Sequence, residues 1–268
     1  MIQKNVIPID IHTCGESDFV ATITAYIPDG GEEKKPAVII FPGGAYKVVA
    51  QYEGAPTAKK YADMGFAAFV VQYSCMPAVF PQSLCEGLWS VRFVRTNADK
   101  YGIDPDNITV MGFSAGGHLA ASLGTLLNLP ILDDYLGTNR EDCRPDKLVL
   151  CYPVISCLGE FHRDSFVNLL GSNGFADEKQ RQLVSLENQV SDDTPPTFIW
   201  HGFADSCVPV SGTLRFVEAL VRHRVPTEFH MYPFADHGGG LNRGRYHEDW
   251  SDKAAVFMRD DRLRITKK

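Results

Sequence analysis

Nine residues, Val110-Met111-Gly112-Phe113-Ser114-Ala115-Gly116-Gly117-His118, restrict this chain more than any other stretch. The β-rich run Ile108-Thr109-Val110 enters them, and a helix-forming run from His118 to Leu123 leaves them. The backbone must therefore pass from strand to helix through one very sharp turn. A residue at such a corner is held at positive φ, which pushes the Ser114 side chain out of the sheet. Strand and helix then approach too closely for side chains at the flanking positions, a need that Gly112 and Gly116 meet. Ala115 is also small, and its N–H lies at a helix N-terminus, where it can face a developing negative charge. The same spacing occurs in ordinary glycine-rich β–α turns with an incidental serine, so the rest of the chain has to decide.

The surroundings alternate. Continuous apolar runs at Pro36 to Phe41, Phe66 to Val71, Lys147 to Tyr152 and Thr197 to Trp200 read as strands buried on both faces. Helical spacing separates them at Thr57 to Met64, Leu84 to Asn97 and Ser211 to Arg222. Two early strands, Val6 to Ile9 and Phe19 to Ile27, precede the solvated charge run Glu32 to Lys35. A last strand, Glu228 to Tyr232, and a terminal helix near Tyr246 to Met258 close the chain. This predicts an α/β fold: a doubly wound, mainly parallel sheet with helices on both faces. No linker or repeat divides residues 1–268, which read as one domain. Residues 156–195 are irregular and polar, with helical pieces at Ser165 to Leu170 and Glu178 to Leu186. They read as a small cap-like insertion over the C-terminal ends of the strands, where the Ser114 turn also lies.

Composition excludes several classes. With 268 residues the chain can bury a sizeable core. A net charge of −7 with no basic block argues against nucleic acid or an anionic membrane surface as partner. No apolar run is long enough to span a bilayer, and the first residues carry no secretory pattern. The seven cysteines, at 14, 75, 85, 143, 151, 157 and 207, are scattered and odd in number. That fits a reducing compartment, the cytoplasm, better than a disulfide framework. No His/Cys array has metal-ligand spacing, so neither metal nor cofactor is expected. The oligomeric state is open, a homodimer included.

A serine hydroxyl becomes a nucleophile only beside a base that a carboxylate orients. In this architecture the expected order is serine, acid, histidine, each just after a strand. Asp205 lies in the loop after the strand ending at Trp200, ahead of Val208-Pro209. His237 follows the last strand in Asp236-His237-Gly238-Gly239-Gly240. Asp193 and Asp236 are competing acids, and Asp236 is adjacent to the histidine and badly placed to reach its Nδ1. His118 is expected to bond backbone near the turn, and His201 to brace the acid loop. His12, His162, His223, His230 and His247 have no evident partner. Donors for an oxyanion are expected from Gly44 and Ala45, in the loop Pro42-Gly43-Gly44-Ala45-Tyr46, with Ala115 as the third. Tyr46, Tyr73, Met76 and Phe80 lie on loops near strand ends, where they could shape a pocket or simply pack.

With these residues in view, the chain resembles α/β-hydrolases of the esterase/lipase type. Phe41-Pro42-Gly43-Gly44-Ala45-Tyr46 is similar to the His-Gly-Gly-Gly oxyanion motif of the hormone-sensitive-lipase-like esterases, with Pro42 for histidine and Ala45 for the third glycine. The likeness is closer to bacterial carbohydrate acetyl-esterases of the acetyl xylan esterase-like type. It rests on Met111 to Ala120, on Thr194-Pro195-Pro196-Thr197-Phe198 and on the loop around Asp205. In that loop Phe203-Ala204 stands where polar or acidic residues are expected. The resemblance implies a serine hydrolase for short, acetyl-like esters, including esters of sugars or xylo-oligosaccharides, with a small-molecule ester as its partner. An amidase, peptidase or formamidase of the same fold and a catalytically silent binding protein are the alternatives.

Overall fold

The computed structural model describes residues 2–11, 19–30, 34–241 and 250–264. His12, Cys14, His247, part of the charge run and the first residues of the expected terminal helix lie outside the described residues. Eight strands form one sheet: β1 (Ile2–Pro8), β2 (Thr22–Pro28), β3 (Lys35–Phe41), β4 (Ala67–Gln72), β5 (Ile103–Phe113), β6 (Lys147–Cys151), β7 (Thr197–Gly202) and β8 (Thr227–Tyr232). Their spatial order is β1-β2-β4-β3-β5-β6-β7-β8. Strands β3 to β8 run parallel, while β2 is antiparallel to β4 and β1 to β2. The helices are α1 (Gln51–Asp63), α2 (Gln82–Thr96), α3 (Ala98–Tyr101), α4 (Ala115–Thr125), α5 (Asp133–Leu136), α6 (Arg163–Ala176), α7 (Glu178–Leu183), α8 (Val210–Arg222) and α9 (Trp250–Arg259). The fold is that of an α/β hydrolase.

Strand alternation sorts the core into two layers. Ile39, Phe41, Val110, Leu148, Leu150 and Ile199 face α2, α4 and α8. Val38, Ile40, Met111, Phe113, Val149 and Trp200 face α1 and α9. The winding reverses at β3, with β4 on one side of it and β5 on the other. At such a switch point the loops after the two flanking strands diverge and leave a crevice. Here those loops are Pro42 to Tyr46 after β3 and the Ser114 turn after β5. Topology alone therefore brings them together.

Some boundaries differ from the sequence expectation. Helix α1 begins at Gln51, not Thr57, and carries Pro56 inside it. Proline reads as a helix start because it lacks an N–H. Here it stands one turn in, where only a single main-chain bond is lost, and the buried face of Thr57, Ala58, Tyr61 and Ala62 holds the helix to the sheet. The second strand starts at Thr22, leaving Phe19 and Val20 exposed. Within residues 156–195, α6 bends at Gly171 (φ 66°). Among the described residues no single helix is long and apolar enough to cross a membrane.

Candidate active site

Ser114 joins β5 to α4 at φ 51°, ψ −118°. The strained corner is fixed from both sides: Ser114 N–H donates to Cys151 O at 3.0 Å, and Val154 N–H donates to Ser114 O at 3.0 Å. A Cβ on Gly112 would lie 2.0 Å from Gly116 O, and one on Gly116 would lie 2.0 Å from Phe41 O. Backbone therefore meets backbone at this corner, and only glycine fits at either position.

Two further loops reach the hydroxyl. Ser114 Oγ–H donates to His237 Nε2 at 2.8 Å, and His237 Nδ1–H donates to Asp205 Oδ2 at 2.8 Å. Asp205 Oδ1 accepts from Val208 N–H at 2.7 Å and Cys207 N–H at 3.0 Å. Buried His201 places Nε2 3.0 Å from Val208 O and 3.2 Å from Asp205 Oδ2, with Thr213 Oγ1 2.8 Å from its Nδ1. A carbonyl only accepts, so His201 Nε2 carries the proton, and the ring braces the acid loop. Burial pushes the pKa of Asp205 up, but bonds from His201 and His237, the charge of His237 and the Val208 N–H outweigh it. The carboxyl is held well below its ordinary range. Asp236 instead accepts from Ser206 and from His237 N–H at 2.8 Å, so it fixes backbone and not the imidazole ring. Asp193 stands at the surface near Arg144.

The loop after β3 abuts the serine, since a Cβ on Gly43 would lie 2.9 Å from Ser114 Cβ. Gly44, Ala45 and Tyr46 have φ of 124°, 58° and 55°. Such a run of left-handed residues persists only where the surroundings over-determine it. Ala45 O accepts from Asn168 Nδ2 of α6 at 2.8 Å, and Tyr46 O accepts from Met76 N–H at 2.8 Å. Gly43 N–H is engaged by Glu53 Oε2 at 2.7 Å. The N–H groups of Gly44, Ala45 and Ala115 donate to nothing among the described residues.

Of the two roles open to them, pocket wall or packing, Tyr46 and Tyr73 take up packing. Tyr46 and Tyr73 are 2% and 1% exposed and support the loop from beneath. The Tyr73 hydroxyl donates to Pro42 O at 2.6 Å, and that of Tyr46 lies 2.8 Å from His118 Nδ1. A phenol whose oxygen is satisfied internally packs as core. Met76, 47% exposed, and half-buried Phe80 stay beside the loop, and Phe80 N–H donates to Leu169 O in α6 at 2.7 Å.

The His118 side chain bonds not to its neighbours but to Val184 O, just after α7, at 2.9 Å through Nε2. Nε2 is thus protonated and Nδ1 accepts from Tyr46. Burial pushes this histidine down to about 4, against the Val184 carbonyl, which raises it. The unfolded chain protonates a histidine near pH 6.5. Between those values the unfolded state binds more protons, so stability falls as the pH drops, by up to about 3 kcal/mol from this site. Buried Glu53 and Glu86, which burial raises, act in the opposite sense. Comparing urea midpoints of the natural chain and His118→Gln at pH 7 and pH 4.5 isolates the histidine. The variant is expected to lose clearly less stability on acidification, and equal losses would refute the assignment.

Sequence reasoning missed Glu53, Tyr152 and Asn168. Glu53, 1% exposed, looks in sequence like any acidic residue in a first helical turn. Its Oε1 accepts from Tyr152 Oη–H at 2.6 Å, and Tyr152 Oη accepts from Gly240 N–H at 2.9 Å. The Tyr152 ring stands edge-on to His237, centroids 5.0 Å apart. Outside the site, His223 pairs with Asp192 and His230 with Glu228. His162 bonds Ser165 and lies within electrostatic reach of His237 and Asp205. Among the described residues no group of three His, Cys, Asp or Glu is placed to hold a metal ion.

A family model, BD-FAE, matches residues 23–220. The crystal structure of an acetyl ester-xyloside bifunctional hydrolase from Caldicellulosiruptor lactoaceticus is 40% identical, covers 88% of either chain and superposes with a TM-score of 0.79. Endo-1,4-beta-xylanase B of Butyrivibrio fibrisolvens is 34% identical over 87% of this chain, and an acetylxylan esterase of Xylanibacter ruminicola is 29% identical over 86%. This chain spans only 37% and 46% of the lengths of those two relatives.

Proposed function

This chain belongs to the BD-FAE family of α/β hydrolases, and on that footing we propose that it hydrolyses short-chain carboxylic esters, acetyl esters of sugars above all. The observation that carries the reading is the unbroken relay of two 2.8 Å bonds from Ser114 through His237 to Asp205. Ser114 Oγ attacks the ester carbonyl while His237 Nε2 takes its proton. Asp205 holds the Nδ1–H tautomer and stabilises the imidazolium. Gly44, Ala45 and Ala115 N–H receive the oxyanion. His237 then passes the proton to the departing alcohol, leaving an acyl-serine. Water donates a proton to His237, adds to the acyl carbon and releases the carboxylic acid, and the proton returns to Ser114.

Residues 1–268 act in this reading as one catalytic unit, with 156–195 as a wall of the site beside Met76 and Phe80. The contact of Asn168 with Ala45 supports that placement. Acetyl as the acyl group and a xyloside as the alcohol are supported by the names of the acetylxylan esterase and the acetyl ester-xyloside hydrolase. The six described cysteines are free thiols, which supports a reducing, cytoplasmic setting.

The test is a panel of acetylated xylo-oligosaccharides, p-nitrophenyl esters of increasing length, aminoacyl anilides and N-formylkynurenine. Acetyl esters are expected to lead octanoyl esters by at least about tenfold in kcat/KM, and all amides to trail. Preference for an amide or formamide would move the chain to the amidase reading. Well-folded protein that neither turns over nor reacts with an organophosphonate would be a binding protein.

A further inference from the structure

We infer that Glu53 is a positioning residue of the hydrolytic site, tying the oxyanion loop to the histidine loop through a single buried carboxylate. The inference rests on the hydrolase reading above and adds to it a residue outside the triad and the oxyanion donors.

Glu53 lies in the first turn of α1, is 1% exposed, and forms no salt bridge among the described residues. A carboxylate buried without a countercharge is costly, and an apolar residue there would be cheaper for the fold alone. Hydrogen bonds replace the lost hydration. Oε2 accepts from Gly43 N–H at 2.7 Å and Oε1 accepts from Tyr152 Oη–H at 2.6 Å. The two main bonds reach different catalytic loops. Gly43 begins the oxyanion loop, and engaging its N–H leaves the Gly44 and Ala45 amides as the inward donors. Tyr152, held at φ 37°, passes the link to Gly240 N–H and presents its ring edge to His237. Gly240 O in turn accepts from Trp250 Nε1 at 3.1 Å, anchoring the histidine loop to α9.

Hydrolysis needs the imidazole and the amide donors fixed relative to one serine oxygen. Errors of an ångström in such sites cost about 10²-fold in rate. No main-chain bond among the described residues joins the Gly43 loop to the Gly240 loop, so the path through Glu53 and Tyr152 is their shared support.

Glu53→Gln keeps size and removes charge. Its amide oxygen can still accept from Gly43, but its NH₂ must face the Tyr152 hydroxyl, which then loses its acceptor. Titrating Ser114 with an organophosphonate counts competent sites, so kcat is read per titrated site. We expect Glu53→Gln to lower kcat about 10²-fold with KM changed less than about threefold. Tyr152→Phe, which cuts only the histidine arm, should lower kcat about tenfold. The double variant should be no worse than Glu53→Gln alone, since groups acting as a unit are non-additive.

A kcat per site within about threefold of the natural chain for Glu53→Gln would overturn the inference, as would losses that multiply in the double variant. A variant that merely loses titratable sites, with normal turnover in the remainder, would also overturn it. Should Glu53→Gln fail to fold, Tyr152→Phe decides: lower kcat at unchanged KM supports the tie, and unchanged kcat refutes it. Natural protein that is inactive, or activity that survives Ser114→Ala, marks failure of the hydrolase reading instead.

Discussion

Ser114→Ala is expected to lower kcat for p-nitrophenyl acetate by roughly 10⁶-fold. The loss is that large because no other nucleophile stands where Ser114 Oγ stands, 2.8 Å from His237 Nε2. Once Oγ is gone the acyl-enzyme cannot form, and attack falls to an unheld water. The Gly44, Ala45 and Ala115 donors survive, so a residual rate above the uncatalysed one should remain. KM should move little, because ground-state binding does not use the hydroxyl. Folding should also be nearly unchanged. Alanine takes the same strained φ as serine, and the corner is fixed by main-chain bonds to Cys151 and from Val154 that the substitution leaves intact. The check is twofold: turnover by a stopped assay, and organophosphonate labelling, which the variant should not undergo. Turnover by Ser114→Ala comparable to that of the natural chain would place the chemistry elsewhere.

The parts of this site that sequence exposes are those whose cause is local or ordinal. Gly112 and Gly116 are legible because a strand-to-helix corner at backbone contact admits nothing larger: Gly112 meets Gly116 within five consecutive residues, although Gly116 itself meets Phe41 of β3. Asp205 and His237 are legible by order, since each follows a strand that ends at the same edge of the sheet. What is hidden depends on contacts across the fold. Glu53 sits where a helix N-terminus welcomes any surface acid, and only the approach of Gly43 and Tyr152 makes it a buried clamp. Tyr46 and Tyr73 stand where pocket walls often stand, but His118 and Pro42 take up their hydroxyls from inside. Lys147, at the head of β6, reads in sequence as a strand-end charge. It is buried, and its Nζ donates to Asn107 Oδ1 and Met258 O. Apart from Gly43, ten residues before Glu53, each partner lies dozens of residues away, beyond the reach of periodicity or spacing.

Asp205→Asn should lower kcat by about 10⁴-fold while leaving every backbone element in place. The hydrogen-bond inventory around this carboxylate dictates why. Its Oδ1 receives two main-chain N–H groups, from Cys207 and Val208, and its Oδ2 faces His237 Nδ1 and His201 Nε2. In asparagine one oxygen becomes an NH₂. Placed toward Cys207 and Val208 it would oppose two fixed amide donors, so it turns toward the histidines. There it donates to His237 Nδ1, which must then be the unprotonated nitrogen. The proton moves to Nε2, facing Ser114, and the ring can no longer accept from the hydroxyl. The imidazolium that forms during attack also loses the negative charge beside it. A variant lacking the carboxylate only as a structural brace would unfold more easily but turn over normally per titrated site. The triad role predicts the reverse: near-normal unfolding, slow organophosphonate labelling and a large deficit in kcat. In the NMR spectrum the His237 ring proton, on Nδ1 in the natural chain, should be found on Nε2 in Asp205→Asn. An unchanged tautomer together with unchanged kcat would remove Asp205 from the mechanism.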